Sequence, residues 1–168
     1  MRQAMLPEKV EISSLQQLRD AAEKLQLAYP QGARVGLRGA LGAGKTQFVR
    51  TFVEVLAEKA NLAEIPAVVS PSFVIHHPIQ WGATRIDHYD FYRLHDVSER
   101  VLWDMGYFDC EMGNVAQEKQ AYVFVEWPER SACDLQLDCE LAFETPLQGR
   151  WLHVLHTKRG FPTQGELC

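Results

Sequence analysis

The residues best suited to chemistry form one glycine-rich segment, Gly39-Ala40-Leu41-Gly42-Ala43-Gly44-Lys45-Thr46. It fits the pattern Gly-x-x-x-x-Gly-Lys-Thr, whose glycines let backbone N–H groups turn inward around anionic phosphates. Lys45 would then reach the β- and γ-phosphates of a nucleotide, and the Thr46 hydroxyl would supply one oxygen ligand to Mg²⁺. The alternative is a glycine-rich turn that binds nothing. The strand predicted before the segment and the helix predicted after it favour phosphate binding.

A magnesium site of this kind also needs an acidic group from a neighbouring strand, because the threonine hydroxyl is only one ligand among several. Glu126 is the best candidate, since it follows the apolar run at residues 122–125 and so ends a predicted central strand. A glutamate there can reach the metal, a metal-bound water or the attacking water, and the sequence does not choose among these roles. The alternative is a solvated glutamate that merely ends a strand.

The segment His88-Tyr89-Asp90-Phe91-Tyr92-Arg93 places an acid, aromatic side chains and a base directly after another predicted strand. Asp90 could bind Mg²⁺ or orient water, and Arg93 could contact phosphate. Equally, the aromatic side chains could fill a small core while Asp90 and Arg93 form a surface ion pair. Trp127, next to Glu126, is expected to serve packing or to be an anchor for a partner protein.

The six histidines share no spacing with cysteines or carboxylates that would form a zinc site. We expect most of them at the surface or at strand ends. The four cysteines are also irregularly spaced and are expected to be reduced thiols; they are Cys110, Cys133, Cys139 and Cys168.

Hydrophobic periodicity predicts the elements that must position these side chains. Helices are predicted from Ser13-Ser14 to Pro30, directly after the glycine-rich segment, and over residues 97–105. Strands are predicted at residues 34–38, 68–70, 73–76, 85–89 and 121–125, followed by an antiparallel hairpin with strands near 135–143 and 151–155. We therefore predict a single domain over residues 1–168. Its fold class is α/β, a three-layer domain of the P-loop NTPase type with a mainly parallel sheet and antiparallel C-terminal strands.

Length and composition limit the classes of function. The chain has 168 residues, 46% hydrophobic and 23% charged, which suits one globular core. Its formal net charge of -5 argues against stable binding of DNA, or of RNA by the chain alone. The apolar runs are far shorter than the roughly 18 residues of a membrane span, and the first residues lack the apolar core of a signal peptide. A cytoplasmic location, away from any membrane, is expected.

Four motifs stand in a fixed order along the chain: the glycine-rich segment, Ser70-Pro71-Ser72-Phe73, His88-Tyr89-Asp90-Phe91-Tyr92-Arg93-Leu94 and Val125-Glu126-Trp127-Pro128. Together they resemble the bacterial TsaE (YjeE) family. The resemblance covers most of the chain up to Pro128, and the combination is specific, although many unrelated nucleotide-binding proteins share the first motif. The sequence departs from the family at three positions, where members often carry an acid, a threonine and a threonine: Ala40, Gln47 and Ser72.

The resemblance implies an ATPase that is required, with the partner proteins TsaB and TsaD, for placing the threonylcarbamoyl group on adenosine 37 of tRNAs reading codons that begin with A. Group transfer would belong to TsaD, and tRNA would be contacted mainly through the complex. Hydrolysis would be Mg²⁺-dependent, and we expect it to be slow in the isolated chain and regulated by the partners.

The same resemblance assigns site residues. ATP would be bound by Leu41, Gly42, Ala43, Gly44, Lys45 and Thr46. Thr46 and Glu126 would serve Mg²⁺. Lys45, Glu126 and Asp90 would be the catalytic residues, and Trp127 and Arg93 would act in hydrolysis or in partner contact.

Two other functions remain open on the residues alone. A small P-loop kinase would dock a nucleoside or metabolite near Arg93 and Arg130, and Glu129-Arg130-Ser131 matches a short motif of deoxynucleoside kinases. A non-hydrolysing module would use bound ATP only as a conformational latch. The sequence contains no Asn-Lys-x-Asp tetrad for reading guanine, so nothing favours GTP over ATP.

Overall fold

Seven strands form one mixed sheet in the computed structural model of the chain, which describes residues 9–109, 120–145 and 149–157. The strands are β1 (Lys9–Glu11), β2 (Gly32–Gly39), β3 (His76–Trp81), β4 (Thr84–Asp90), β5 (Gln120–Glu126), β6 (Cys139–Glu144) and β7 (Trp151–Thr157). Their spatial order is β1-β7-β6-β2-β5-β4-β3. The four central strands, from β6 to β4, run parallel. The strands outside them, β3 on one side and β7 and β1 on the other, are antiparallel to their neighbours.

Three α-helices accompany the sheet in the described part of the chain: α1 (Leu15–Ala28), α2 (Lys45–Lys59) and α3 (Glu99–Asp104). The first helix begins as the sequence predicts. The Ser14 hydroxyl accepts the N–H of Gln17 at 3.2 Å, and the Gln17 side chain accepts the N–H of Ser14 at 3.1 Å. This capping box satisfies two of the N–H groups that a helix start leaves unpaired.

Strand β5 shows how the sheet divides the core into two sides. Tyr122 and Phe124 pack with α1 and α2, and the Phe52 ring of α2 lies edge-on to both, with centroid distances of 4.8 and 5.0 Å. Val123 and Val125 point the opposite way, into a second cluster that contains Leu102 of α3. Successive side chains of a strand face opposite sides, so the continuous apolar run of β5 is the pattern of a strand covered on both faces.

Two of the predicted strands are wrong. Residues 68–70 have no regular structure, and residues 71–75 form a turn in which the N–H groups of Val74 and Ile75 both reach the carbonyl of Pro71, at 3.0 and 2.5 Å. Ile75 adopts a φ of 68°, which an extended strand does not allow. The turn chemistry of Ser-Pro-Ser outweighs the β propensity of the apolar residues that follow, and β3 begins only at His76.

The predicted C-terminal hairpin is confirmed, since β6 and β7 pair antiparallel. The strand starts later than predicted, at Cys139, because Gln136 takes a φ of 54° that interrupts the apolar alternation. Residues 146–148 in the predicted turn lie outside the described residues. Cys133 and Cys139 are free thiols, whereas Cys110 and Cys168 lie outside the described residues. Burial raises the pKa of the Cys139 thiol to about 12.

Within the described residues, no helix combines the length and the apolar character that crossing a bilayer would need. The single domain over residues 1–168 stays a prediction.

A buried carboxylate, Asp87, ties strands β3 and β4 together. It accepts hydrogen bonds from His76 Nε2 and from Arg85 Nε, both at 2.7 Å. The His76 ring also stacks on Tyr89, with centroids 4.3 Å apart. Burial acts to raise the pKa of Asp87, but the hydrogen bonds from His76 and Arg85 outweigh it and hold this pKa below its ordinary value.

We predict that Asp87→Asn lowers the free energy of unfolding at pH 7 by about 2–4 kcal/mol, because it removes one charge from a buried, hydrogen-bonded pair. A lowered pKa in the folded state stabilises the fold above the unfolded-state pKa, about 3.9, and this contribution is lost as the pH falls through the folded-state pKa. The difference between wild type and variant should therefore shrink below about pH 4. Urea unfolding at several pH values measures it.

Asp104→Asn is the matched control, because the Asp104 side chain is 72% exposed. Its effect should stay within about 0.5 kcal/mol at every pH. A difference between Asp87→Asn and wild type that does not change with pH would contradict the lowered pKa.

Candidate functional site

The glycine-rich loop joins β2 to α2 at the carboxyl edge of the parallel strands. Gly39 ends β2 with a φ of 139°, and a Cβ built there would lie 2.5 Å from the carbonyl oxygen of Phe143, so only glycine fits. Gly44, with a φ of 109°, is the N-cap of α2 and provides no capping side chain. The first N–H groups of α2 are therefore left without a side-chain cap, at the positive end of a helix that suits an anion.

Lys45 is folded back onto its own loop. Its Nζ donates hydrogen bonds to the carbonyls of Gly39 at 2.7 Å and Ala40 at 3.0 Å. The same ammonium lies 4.3 Å from the centroid of the Trp127 ring. Only 4% of Lys45 is exposed, so phosphate oxygens would have to replace carbonyl acceptors, not water.

The environment of Lys45 shifts its acidity. Burial lowers the pKa of the ammonium below its ordinary value, and the carboxylates of Glu126, Asp90 and Glu129 oppose that shift. The net direction is downward. The positive charge therefore stands in a partly desolvated place, where it interacts more strongly with an anion than it would in water.

Glu126 and Thr46 are in direct contact. Glu126 shares its face of β5 with Tyr122 and Phe124, the face that α2 covers, and Thr46 lies in the first turn of that helix. The Thr46 hydroxyl donates to Glu126 Oε1 at 2.6 Å. The sequence predicted Glu126 at the carboxyl end of a central strand beside the loop, and the structure places it there, 4% exposed and opposite Leu37 of β2.

Asp90 lies beside Glu126 on the next strand, since the two are register partners across β4 and β5. It is 3% exposed. Its Oδ2 accepts the Ser72 hydroxyl at 2.5 Å, and its Oδ1 accepts the N–H of Tyr92 at 2.9 Å. Asp90 is thus a buried, oriented carboxylate, and the alternative of an exposed acid at the surface is wrong.

Arg93 is separated from these groups. Its guanidinium carbon lies 4.2 Å from the ring centroid of Phe73, in an exposed position. Arg93 is not among the residues that line the cavity at the glycine-rich loop. Among the predicted site residues, the structure brings together the loop, Asp90, Glu126 and Trp127, and leaves Arg93 outside.

Two cavities flank the loop. The smaller, about 180 Å³, lies on the side of the parallel strands, where Lys45, Thr46, Asp90, Glu126 and Trp127 contribute to its walls. The larger, about 710 Å³, lies on the other side, and its walls include Ile12, Leu18, Phe143 and Trp151. Both cavities share Gly42, Ala43, Gly44 and Gln47. The pair offers a charged space and a larger, more apolar space on either side of one backbone loop.

Trp127 holds an uncommon backbone conformation. Its φ and ψ of 60° and 50° fall in the left-handed region, which is unfavourable for a bulky residue. Its N–H donates to the carbonyl of Leu37 at 3.1 Å, and its ring packs against Tyr92 with centroids 5.2 Å apart as well as against Lys45. The strained bend turns the chain out of β5 so that the indole covers the loop lysine.

His88 is a site residue that the sequence interpretation missed. We expected most histidines at the surface or at strand ends, but His88 is completely buried, and its Nε2 lies 2.9 Å from Glu126 Oε1. A signal was present in the sequence, because His88 stands two residues before Asp90 on one strand and must therefore share its face. Among the described residues, no group of three or more His, Cys, Asp or Glu side chains converges as a metal centre would require.

The comparisons with known proteins agree with one another. A profile of the family described as "Threonylcarbamoyl adenosine biosynthesis protein TsaE" matches residues 12–150. The "tRNA threonylcarbamoyladenosine biosynthesis protein TsaE" of Aquifex aeolicus (strain VF5) is 34% identical over 109 residues, which cover 64% of this chain and 68% of that protein.

A solved structure has a similar fold. The crystal structure of Bacillus subtilis YdiB superimposes with a TM-score of 0.53 over 87% of this chain and 82% of that chain. The sequence identity is 21%, so this similarity concerns the fold alone.

We predict that Trp127→Gly unfolds at a higher free energy than Trp127→Ala, by about 1 kcal/mol, because glycine adopts a positive φ without the penalty that a Cβ brings. Both variants lose the same indole contacts, so their difference isolates the backbone. Urea unfolding of the two variants measures it. An alanine variant as stable as the glycine variant would show that the left-handed bend is absent.

The same pair of substitutions at Gln80, an exposed residue of β3 in extended conformation, is the control. There alanine should be the more stable by about 0.5–1 kcal/mol.

Proposed function

The chain belongs to the TsaE family, whose members take part in the biosynthesis of threonylcarbamoyladenosine in tRNA, and on that premise we propose that it is a Mg²⁺-dependent ATPase of the P-loop NTPase type. It would act in the cytoplasm with TsaB and TsaD, in the formation of the threonylcarbamoyl group on adenosine 37. The observation that carries the proposal is the 2.6 Å contact between Thr46 and Glu126 at the uncapped start of α2. It joins a phosphate-binding loop to an acid.

The polyphosphate of ATP would lie along the loop from Leu41 to Thr46, with the phosphates in the smaller cavity. The N–H groups at the start of α2 and the Lys45 ammonium supply positive charge there. The nucleoside would occupy the larger cavity, whose apolar side chains suit a base and whose volume of about 710 Å³ exceeds what the phosphates need.

The donor set near the loop fits Mg²⁺. Thr46 and Glu126 offer oxygen ligands in contact with each other, and magnesium commonly takes one or two protein oxygens and completes its shell with water and substrate phosphates. When bound, the ion would neutralise charge that develops on the phosphates during hydrolysis. Thr46 and Glu126 would hold it.

Asp90 is the better placed of the two acids to orient the attacking water. Glu126 is engaged with Thr46, whereas Asp90 lines the same cavity without touching the loop threonine. Its two oxygens are fixed by Ser72 and by the N–H of Tyr92, so its remaining lone pairs have a defined direction. A carboxylate held in this way can accept a hydrogen bond from water and aim it at the γ-phosphate.

The charge of the chain supports a division of labour with partners. A net charge of -5 provides little attraction for a polyphosphate backbone, so tRNA would be contacted mainly through the complex. Positive charge is used locally instead, at Lys45.

We predict that Lys45→Ala abolishes binding and hydrolysis of ATP without unfolding the domain. The alanine removes the cation that faces the phosphates but leaves the core of α2 intact. Calorimetric titration with ATP and Mg²⁺, together with a thermal melt, measures both effects. Lys59→Ala, at the opposite end of the same helix, should bind ATP like wild type. Hydrolysis at the wild-type rate in Lys45→Ala would contradict the assignment.

The function itself is tested by phosphate release from the wild-type chain alone, with TsaB and TsaD, and with added nucleosides. We expect slow release alone and faster release with the two proteins. Release that is unchanged by the proteins would contradict the proposal. ADP formation that rises only with an added nucleoside would indicate a kinase, and ATP binding without any release would indicate a non-hydrolysing module.

A further inference from the structure

We infer that His88 is a positioning residue that fixes the carboxylate of Glu126 and, through it, the metal-binding hydroxyl of Thr46. The inference rests on the proposed function, because it assigns a role within the same site. Neither the sequence motifs nor the similarity to known proteins assigns any role to this histidine.

The contacts of His88 determine which ring nitrogen carries its proton. Nε2 lies 2.9 Å from Glu126 Oε1, and a carboxylate oxygen can only accept, so Nε2 must donate. On the opposite side of the ring, Nδ1 is buried and has no hydrogen-bond partner. A proton on Nδ1 would be an unsatisfied buried donor, which costs free energy. The ring is therefore the tautomer with hydrogen on Nε2.

Two donors converge on one oxygen of Glu126. The Thr46 hydroxyl donates to Oε1 at 2.6 Å, and His88 Nε2 donates to the same atom at 2.9 Å. Thr46 comes from the start of α2 and His88 from the middle of β4, so the carboxylate is held from two different elements. The carboxylate cannot rotate without breaking one of these bonds.

The burial of Glu126 makes the second donor important. With 4% exposure, the carboxylate has little water to satisfy it, and a buried carboxylate without donors is strongly destabilised. If His88 did not donate, Thr46 would be the only side chain recorded as donating to Glu126. Its hydroxyl would then be committed to the carboxylate and less free to turn toward a metal. Partners that orient ligands in this way commonly change metal affinity by about 10- to 100-fold when removed.

A histidine that only fills space would behave differently. An apolar side chain of similar size would replace it without loss, whereas a positioning role requires a donor at the place of Nε2. Glutamine carries an N–H donor at about that distance from the backbone, and leucine carries none. His88→Leu and His88→Gln therefore separate the two roles.

Binding of Mn²⁺ in the presence of ADP, followed by the electron paramagnetic resonance signal of the free ion, tests the inference without relying on turnover. We expect His88→Leu to weaken Mn²⁺ binding by about 10-fold or more, with the affinity for ADP in the absence of metal unchanged within about twofold. His88→Gln should restore most of the Mn²⁺ affinity. His77→Leu, the register partner of His88 on β3, should bind Mn²⁺ like wild type.

Unchanged Mn²⁺ affinity in His88→Leu would overturn the inference, and so would an equal loss in the leucine and glutamine variants. If the leucine variant does not fold, nitrogen-15 NMR of the wild-type histidines decides: hydrogen on Nε2 of His88 supports the inference, and hydrogen on Nδ1 overturns it. If wild type binds no Mn²⁺ with ADP, the proposed function fails instead, and the two failures are thereby distinguished.

Discussion

The contact between the Thr46 hydroxyl and Glu126 is the interaction on which the rest of the site depends. It requires that the first turn of α2 and the last residue of β5 meet within 2.6 Å, although 80 positions separate them along the chain. The parallel pairing of β2 with β5 brings the two together, because it places Leu37 beside Glu126, just before the loop that leads to α2. The packing of Phe52 against β5 then fixes the helix on the sheet. The core of the protein and the chemistry of its site are thus set by the same strand register.

The sequence predicted the parts of this arrangement that are local in the chain. The start of α1 followed from Ser14 and Gln17, and the phosphate loop followed from its glycines and from the lysine and threonine after them. The position of Glu126 followed from the apolar run before it, because a run of that length must be covered on both faces and its end must reach the edge of the sheet. These predictions depend on residues a few positions apart, where periodicity and turn chemistry are informative.

The parts that failed depend on contacts between distant segments. The apolar residues around Val74 have strand propensity, but the Ser-Pro-Ser turn before them dominates, and the Ser72 hydroxyl is used to hold Asp90. His88 could have been placed on the face of Asp90 by simple alternation, yet its burial follows from how β4 meets β5 and α2, which composition does not reveal. Arg93 was grouped with the site because it is close in sequence, whereas the chain turns its side chain toward Phe73. Adjacency in a motif is a weak guide to adjacency in space.

The way in which Lys45 is held has a consequence for what can bind. Without a ligand, its ammonium already has two carbonyl acceptors and an aromatic face, so the resting loop is electrostatically satisfied. The affinity for any ligand is then a difference between two well-bonded states and excludes the full strength of the new contacts. Neutral oxygens gain little by replacing neutral carbonyls, whereas an oxygen with formal negative charge gains substantially. The lysine therefore acts as a filter for charge, so that sugars, alcohols and water are rejected by the same loop that would accept a phosphate.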